Sequence, residues 1–255
     1  MDDHDLARQL ADTAGQVLLS VRSSGVLGGK ALGAAGDAVS QAWLAAALQT
    51  ARPDDAVLSE EATDGLGRLD SSRVWVIDPL DGTREYSEGR SDWAVHVALA
   101  VDGAPVVSAV ALPDQGLVHA TDAPPVVAPA PAGRMKLLVS RSRPPQVAEA
   151  VARELEAELV GMGSAGAKAM AVLHGEAHGY VHAGGQYEWD SAAPVGVCAA
   201  AGLHVSRLDG SPLVYNQPDP LLPDLLICRP EVASVLLEAI ARQLDPRQLD
   251  TLAVR

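Results

Sequence analysis

The sequence VWVIDPLDGTREY, residues 74–86, constrains this chain more than any other stretch. It begins with four apolar residues that are typical of a buried strand, and Asp78 and Asp81 follow on either side of Pro79-Leu80. Because proline fixes its own φ and lacks a backbone donor, we expect the strand to give way to a turn there. The turn would place the two carboxylates side by side, where they repel each other unless a proton or a cation lies between them.

Two carboxylates with the Leu80 carbonyl between them offer the hard oxygen ligands that suit Mg²⁺. The backbone N–H groups of Gly82 and Thr83, which come next, would suit a phosphate. The stretch therefore predicts a metal-assisted phosphatase site, to which the rest of the chain adds ligands and a substrate pocket.

The net charge of the 255-residue chain is −14, which argues against nucleic acid as a partner because phosphate backbones bind basic surfaces. An acidic pocket can hold an anionic substrate only if cations lie between them, which again indicates divalent metals. A diffuse acidic surface that keeps the protein soluble explains most of the charge equally well. The 48% hydrophobic content predicts a folded globular protein.

The sequence also predicts a cytoplasmic protein without a membrane segment. No apolar run reaches the ~20 residues that span a bilayer, and the acidic start MDDHDLARQL is unlike a signal peptide. Cys198 and Cys228 form no C-x-x-C pair, so reduced thiols are expected.

In the first half, apolar spacing predicts a helix over residues 5–22, and the Gly- and Ala-rich residues 23–36 are interpreted as a loop. Asp37 precedes a helix-forming run and is well placed as its N-cap. A short strand at residues 57–58 leads into Glu60-Glu61, which is either a solvated surface pair or a source of metal ligands.

Strand patterns at residues 93–101, 104–112 and 116–121 predict an antiparallel sheet. The Pro- and Ala-rich residues 123–134 mark the predicted end of an α+β domain, residues 1–134. Residues 135–245 alternate strands and helices and predict an α/β domain with a mixed sheet, followed by a tail at 246–255. The predicted strands are 136–140, 160–163, 179–183, 203–208 and 225–228, and the predicted helices are 145–158, 164–174, 190–201 and 231–244.

Trp189-Asp190-Ser191-Ala192-Ala193-Pro194 adds a third acidic element at the start of a predicted helix, where Asp190 could also serve as a cap. Together with SEE (59–61) and DPLDGT (78–83), this motif resembles the inositol monophosphatase superfamily of Mg²⁺-dependent, lithium-sensitive phosphatases. The resemblance covers roughly residues 5–243 and implies a layered αβαβα fold like that of the sugar phosphatases.

The resemblance implies a role for each acidic residue in this site. Glu60, Asp78 and the Leu80 carbonyl would hold one metal ion, and Asp78, Asp81 and Asp190 would hold a second. Asp37 would work with the Thr83 hydroxyl, and both with Glu60, to orient and deprotonate the attacking water. The stretch ALGAAG before Asp37 lacks the Thr and second Asp common in the family, so a third ion would be held more loosely.

Further segments are similar to the CysQ-type phosphatases of 3′-phosphoadenosine 5′-phosphate within this superfamily. They include Arg84-Glu85-Tyr86, in place of Lys-Glu-Phe, and Ser140-Arg141-Ser142, which Arg143 follows in place of the usual His. They also include residues 163–168, and Leu213-x-Tyr215-Asn216 with Pro223. The resemblance implies that Asp81, Gly82, Thr83 and Asp190 contact the substrate, and that Arg141, Ser164 and Lys168 line its nucleotide side.

The implied reaction removes the 3′-phosphate of that nucleotide, or of its sulfated form, to give AMP in sulfur assimilation. Inositol phosphate or fructose 1,6-bisphosphate as substrate, or a catalytically silent phosphate-binding regulatory protein, remain alternatives. Lys168 and Arg143 are each either substrate ligands or solvated surface residues. The superfamily resemblance also suggests a homodimer.

Overall fold

The structure is a computed structural model that describes residues 1–244, so the predicted tail at 246–255 lies outside the described residues. The helices are α1 (Asp3–Ser23), α2 (Gly29–Ala51), α3 (Thr83–Ser87), α4 (Gln146–Glu154), α5 (Ala165–Leu173), α6 (Glu188–Ala200) and α7 (Pro230–Gln243). The strands are β1 (Ala56–Ser59), β2 (Arg73–Asp81), β3 (Ala94–Val101), β4 (Ala104–Leu112), β5 (Leu117–Ala120), β6 (Lys136–Ser140), β7 (Glu158–Met162), β8 (Gly179–Tyr187), β9 (His204–Ser206) and β10 (Leu221–Cys228).

The first sheet has the order β1-β2-β3-β4-β5 and is antiparallel except for the parallel pair β1 and β2. The predicted meander β3-β4-β5 is confirmed. Its first hairpin turns at Asp102-Gly103, and both residues have positive φ, 48° and 81°. That conformation matches the twist of a two-residue hairpin loop and is tolerated by Asp and Gly.

The second sheet has the order β7-β6-β8-β10-β9. Strand β6 is parallel to both of its neighbours, while β10 is antiparallel to β8 and β9, so the predicted mixed sheet is confirmed. Strand β8 extends past its predicted end at residue 183, through Gly184 and Gly185, which form a bulge opposite β10. In the sequence, these two glycines suggest the end of a strand. In the structure, they supply the positive φ that a bulge requires.

The first sheet is apolar on both of its faces, so helices cover it on both sides. Helices α1 and α2 cover one face, where Trp75 and Ile77 are buried. The other face packs on α5 and α6, and Val76, Met170 and Val197 belong to one buried cluster that also includes residues of the second sheet. This cluster joins residues from both sides of position 134, and the division into two domains there remains a prediction.

The predicted loop at residues 23–36 is wrong for its second part, because α2 begins at Gly29. Gly33 and Gly36 serve close packing: a Cβ on Gly33 would lie 2.8 Å from Thr83 Cγ2, and one on Gly36 would lie 3.0 Å from Leu80 Cδ2. Asp37 consequently lies inside the helix, so its interpretation as an N-cap is wrong. Helix α2 instead presses against the loop that follows β2.

Candidate active site

Strand β2 does not end at Pro79 but continues to Asp81 through a bulge. Asp78 pairs with His96 of β3 and Asp81 pairs with Ala94, so three steps on β2 match two on β3. In a regular strand, residues three apart point to opposite faces of the sheet. The extra residue brings both carboxylates to the same side, which is how bulges re-aim side chains beside active sites. The expected turn is therefore wrong, but the closeness of the two carboxylates is confirmed.

The third carboxylate comes from the first turn of α6. One oxygen of Asp190 accepts a hydrogen bond of 2.6 Å from the Tyr187 N–H, as in a capping box in which Tyr187 is the N-cap. Ligand oxygens from Asp78, Asp81 and Asp190 all lie within 4.8 Å of one another. The structure thus brings together three predicted metal ligands from positions up to 112 residues apart, 190 minus 78.

Glu60 follows β1 at the same edge of the sheet. Ser59 pairs in parallel with Ile77, so the next residue of each strand, Glu60 and Asp78, are neighbours. The Glu60 N–H donates to the Ile77 carbonyl over 3.4 Å. Its side chain reaches solvent, unlike that of Asp78. Glu60 lies beside Asp78 but outside the group of three clustered carboxylates, so its role as a metal ligand stays a prediction.

Electrostatics in this cluster match a cation site. Burial, followed by the charge of Glu60, raises the pKa of Asp78 well above its usual value. Burial and the charge of Asp81 raise the pKa of Asp190 to about 7. The pKa of Glu60 also rises to about 7, through burial and Asp190. Carboxylates this crowded hold excess negative charge that a divalent cation would neutralise, and their oxygen donor set fits Mg²⁺.

Asp81 differs from these three carboxyl groups, because hydrogen-bond donors at the start of α5 surround it. The backbone N–H groups of Ala165 and Gly166 donate to its carboxylate over 3.1 and 2.7 Å, and the Ser164 hydroxyl also donates to it. Burial raises the pKa of Asp81, but the charges of His96 and Lys168 and these hydrogen bonds outweigh it and lower the pKa to about 2. Ser164 therefore fixes Asp81, and its predicted contact with substrate stays a prediction.

His96 is a site residue that sequence reasoning missed. Its fully buried ring lies between two predicted metal-ligating segments, with Nδ1 3.1 Å from the Trp189 carbonyl and Nε2 3.2 Å from Asp81. A Cβ on Gly166 would lie 2.2 Å from this Nε2, so the ring also packs against α5. The one available signal was a basic residue inside the otherwise apolar strand β3.

Asp37 and Thr83 are in contact, as the resemblance implies, but Asp37 lies inside α2 and not at its N-terminus. The Thr83 Oγ1 lies 3.1 Å from Asp37 Oδ1 and 3.2 Å from the Leu80 carbonyl, and its single proton can go to only one of them at a time. Burial raises the pKa of Asp37 to about 6, against the opposing effect of the Thr83 hydrogen bond. The pair lies beside the predicted ligand carbonyl of Leu80. Gly82, which directly precedes Thr83, has a φ of 90°, a conformation that favours glycine.

A cleft of about 500 Å³ has Ser164, the hydrogen-bond partner of Asp81, in its lining. The side chain of Arg141 extends along it, donating to Glu85 over 2.7 Å and to Glu88 over 2.6 Å. Its basic lining residues are Arg84, Arg141, Arg143 and Lys168. The cleft therefore places positive charge next to the acidic cluster.

Lys168 is not a solvated surface residue. It is 5% exposed, and its Nζ donates to the carbonyls of Gly163 and Ser164 over 3.1 and 2.6 Å. The ammonium group also lies 4.9 Å from the ring centre of Tyr180. Two of its three N–H groups are therefore used by the segment that holds Asp81, which leaves one for a ligand. Arg143 is exposed at the rim of the cleft.

Comparison with known proteins places this fold and its acidic cluster in a class of phosphatases. The sequence profile described as the inositol monophosphatase family matches residues 3–248, and the chain belongs to that family. A protein of Mycobacterium tuberculosis named 3′-phosphoadenosine 5′-phosphate phosphatase is 55% identical over 241 residues, 89% of each chain. The protein of the same name from Mycobacterium leprae is 50% identical over 256 residues, 94% of each chain.

More distant relatives share the fold. The inositol monophosphatase from Anabaena (Nostoc) sp. has 25% identity and a TM-score of 0.75, with 95% of this chain and 96% of that chain covered. CysQ from Bacteroides thetaiotaomicron has a TM-score of 0.76 at 22% identity, over 89% of this chain and 97% of that one. The predicted fold class is confirmed. No helix within residues 1–244 has the length and hydropathy to cross a bilayer.

Proposed function

We propose that this chain is a Mg²⁺-dependent phosphatase that removes the 3′-phosphate of 3′-phosphoadenosine 5′-phosphate to give AMP. The observation that carries this is the adjacency of two opposite charge fields: three clustered carboxylates and a cleft lined by Ser164 and four basic residues. A substrate with two phosphates needs both. The names of the mycobacterial relatives, at 50 and 55% identity, support the same substrate.

The donor set supports two Mg²⁺ ions. Glu60, Asp78 and the Leu80 carbonyl would hold one ion, while Asp81 and Asp190 would share Asp78 with the other. When bound, such ions activate a water for attack and neutralise charge on the leaving oxygen. The chain's own contribution is to keep Asp81 fixed, through His96 and the N–H groups of α5, and Asp190 fixed, through the Tyr187 N–H.

Asp37 and Thr83 form the proposed proton-handling pair. The Thr83 hydroxyl donates to Asp37, and its oxygen lone pairs can accept a hydrogen bond from a water in the site; as that water gives its proton to the Thr83 oxygen, the Thr83 proton would pass to the Asp37 carboxylate. Glu60, which reaches solvent at the edge of the cluster, would share in orienting that water. Phosphoryl transfer depends mainly on such positioning and on charge stabilisation.

The remaining contacts belong to the substrate. Gly82 and Thr83, together with Asp81 and Asp190, would contact the phosphate that reacts, and Ser164 would join the residues on the nucleotide side. Arg141 and Lys168 would line the nucleotide side. The proposal includes a cytoplasmic location, because the two buried, free thiols of Cys198 and Cys228 suit a reducing compartment. It also includes a homodimer, which sedimentation of the purified chain tests.

A substrate panel at fixed Mg²⁺ tests the function. We expect kcat/KM for 3′-phosphoadenosine 5′-phosphate to exceed those for inositol 1-phosphate and fructose 1,6-bisphosphate by about tenfold or more, because only the nucleotide uses both charge fields. Asp190→Asn serves as the inactive control. A preference for inositol 1-phosphate, or no turnover of any substrate with Mg²⁺, contradicts the proposal.

A further inference from the structure

Glu88 holds two guanidinium groups together at the outer part of the cleft. One of its carboxylate oxygens accepts from Arg84 Nε over 2.8 Å, and the other accepts from Arg141 Nη2 over 2.6 Å. Arg84 and Arg141 are 57 positions apart, 141 minus 84, so this bridge is built by the tertiary fold. Neither the fold nor the metal cluster uses Glu88 for another purpose among the described contacts.

The bridge lies close to the reaction site along the chain. Glu88 is the C-cap of α3, the short helix that begins at Thr83, so about one and a half helical turns separate Thr83 from Glu88. Arg141 is held at its other side by the buried Glu85, which fixes the guanidinium in the cleft. Arg84, by contrast, is 63% exposed and has Glu88 as its one carboxylate partner within residues 1–244.

A carboxylate that bridges two arginines in a ligand cleft occupies the place of an external oxyanion. Arginine binds phosphate through paired N–H groups, and a phosphate monoester carries a charge close to −2 near neutral pH, against −1 for a carboxylate. Four of the chain's 19 Lys and Arg residues line this cleft, although the net charge of the chain is −14. The two carboxylates that pair with Arg84 and Arg141, those of Glu85 and Glu88, neutralise only part of these four positive charges.

We infer that Glu88 is an internal competitor for Arg84 and Arg141, and that the second phosphate of a bisphosphate nucleotide displaces it. The inference rests on the proposed function and assigns the second-phosphate site to Arg84, Arg141 and the rim residue Arg143, which has no ion pair within residues 1–244. Glu88 is 38% exposed, so water solvates its carboxylate once it is released. A neutral hydroxyl cannot make this exchange, so a substrate with a single phosphate leaves the Glu88 bridge intact and gains nothing from Arg84 and Arg141.

The test compares two nucleotides that differ only in the second phosphate, 3′-phosphoadenosine 5′-phosphate and adenosine 3′-phosphate. Glu88→Gln removes the competing charge, and we expect it to lower KM for the bisphosphate about threefold to tenfold. KM for adenosine 3′-phosphate and both kcat values should stay within about twofold of wild type. Arg84→Gln should raise KM for the bisphosphate alone, by about fivefold to twentyfold.

Glu154→Gln is the matched control, because Glu154 bridges Arg242 and Gln243 on the protein surface and does not line the cleft. It should leave all constants unchanged, and thermal unfolding should show that each variant is folded. Equal KM shifts for both nucleotides, or a higher bisphosphate KM in Glu88→Gln, overturns the inference. A wild-type enzyme that hydrolyses adenosine 3′-phosphate but not the bisphosphate overturns the proposed substrate instead, before any variant is measured.

Discussion

The Thr83 hydroxyl donates to the Asp37 carboxylate over 3.1 Å, although 46 residues separate the two in the chain. Gly33 makes this possible, because any larger residue one helical turn before Asp37 would strike the methyl group of Thr83. The close approach of α2 to the loop after β2 therefore serves the proposed proton-handling pair directly.

Removing the hydroxyl without changing the shape tests this pair. Thr83→Val should lower kcat by about a hundredfold, since positioned proton transfer contributes on that scale, while Thr83→Ser should keep most of it. KM should change little in either variant. Steady-state phosphate release measures both constants, and a valine variant with more than half of the wild-type kcat would show that the pair is structural.

Asp78 should impose a cost on stability that the metal relieves. Because it is buried beside Glu60, Asp81 and Asp190, Asp78→Asn should raise the stability of the metal-free protein by about 1–3 kcal/mol, which is several degrees in Tm. The same change should abolish activity and the rise of Tm with Mg²⁺. Thermal unfolding in EDTA and in Mg²⁺ measures this. Asp12→Asn, at an exposed position on α1, is the control; an Asp78 variant that still gains stability from Mg²⁺ contradicts the assignment.

Gly166 has no space for a side chain beside His96. A Cβ there would lie 2.2 Å from His96 Nε2 and 3.0 Å from Ala94 Cβ, so Gly166→Ala must displace the ring or the start of α5. We expect destabilisation of about 1–3 kcal/mol and weaker Mg²⁺ activation, because Asp81 loses its donors. Gly67→Ala, where no atom of residues 1–244 lies within 4 Å of the added Cβ, should behave like wild type. A fully active and stable Gly166→Ala would show that the site adapts.

Lys168 contributes to both the loop and the cleft. Lys168→Ala should lower kcat/KM for inositol 1-phosphate, because the carbonyls of Gly163 and Ser164 lose their donor. The loss with 3′-phosphoadenosine 5′-phosphate should be about ten- to a hundredfold larger, the worth of one charge-assisted contact to phosphate. Equal losses with the two substrates would restrict Lys168 to holding the loop.

The network around Asp55 predicts a pH-dependent stability. Hydrogen bonds from Arg73 and Trp75, opposed by burial, lower the pKa of Asp55 below its usual 3.8. A lowered pKa means that the stabilisation is complete above the unfolded value and disappears as the pH falls through the folded one. Asp55→Asn should therefore cost about 1–2 kcal/mol at pH 7, with the difference shrinking below about pH 4. Urea unfolding at several pH values measures it; a constant difference would contradict the assignment.

Short-range patterns predicted most of the site, because Asp78, Asp81 and Thr83 belong to one short motif and Asp190 belongs to another. Such motifs can be read without knowing the tertiary fold. The start of α2 could not be predicted, since Gly33 lowers helix propensity and only the approach of Thr83 explains its presence. His96 acts through contacts to two distant segments, which no local pattern encodes. The Glu88 bridge to Arg141 likewise exists only after both halves of the chain have folded.

The geometry of the site depends on the number of residues between Asp78 and Asp81, because the bulge contains one extra residue there. Without the bulge, the three-residue spacing would turn one carboxylate to the opposite face of the sheet, even if every acidic residue were kept, whereas deleting one residue would restore regular pairing with β3 and leave both on one face. Substitutions at Pro79 or Leu80 change only shape and packing. In the evolution or engineering of this chain, the three-residue spacing of the two Asp residues and the bulge therefore have to change together.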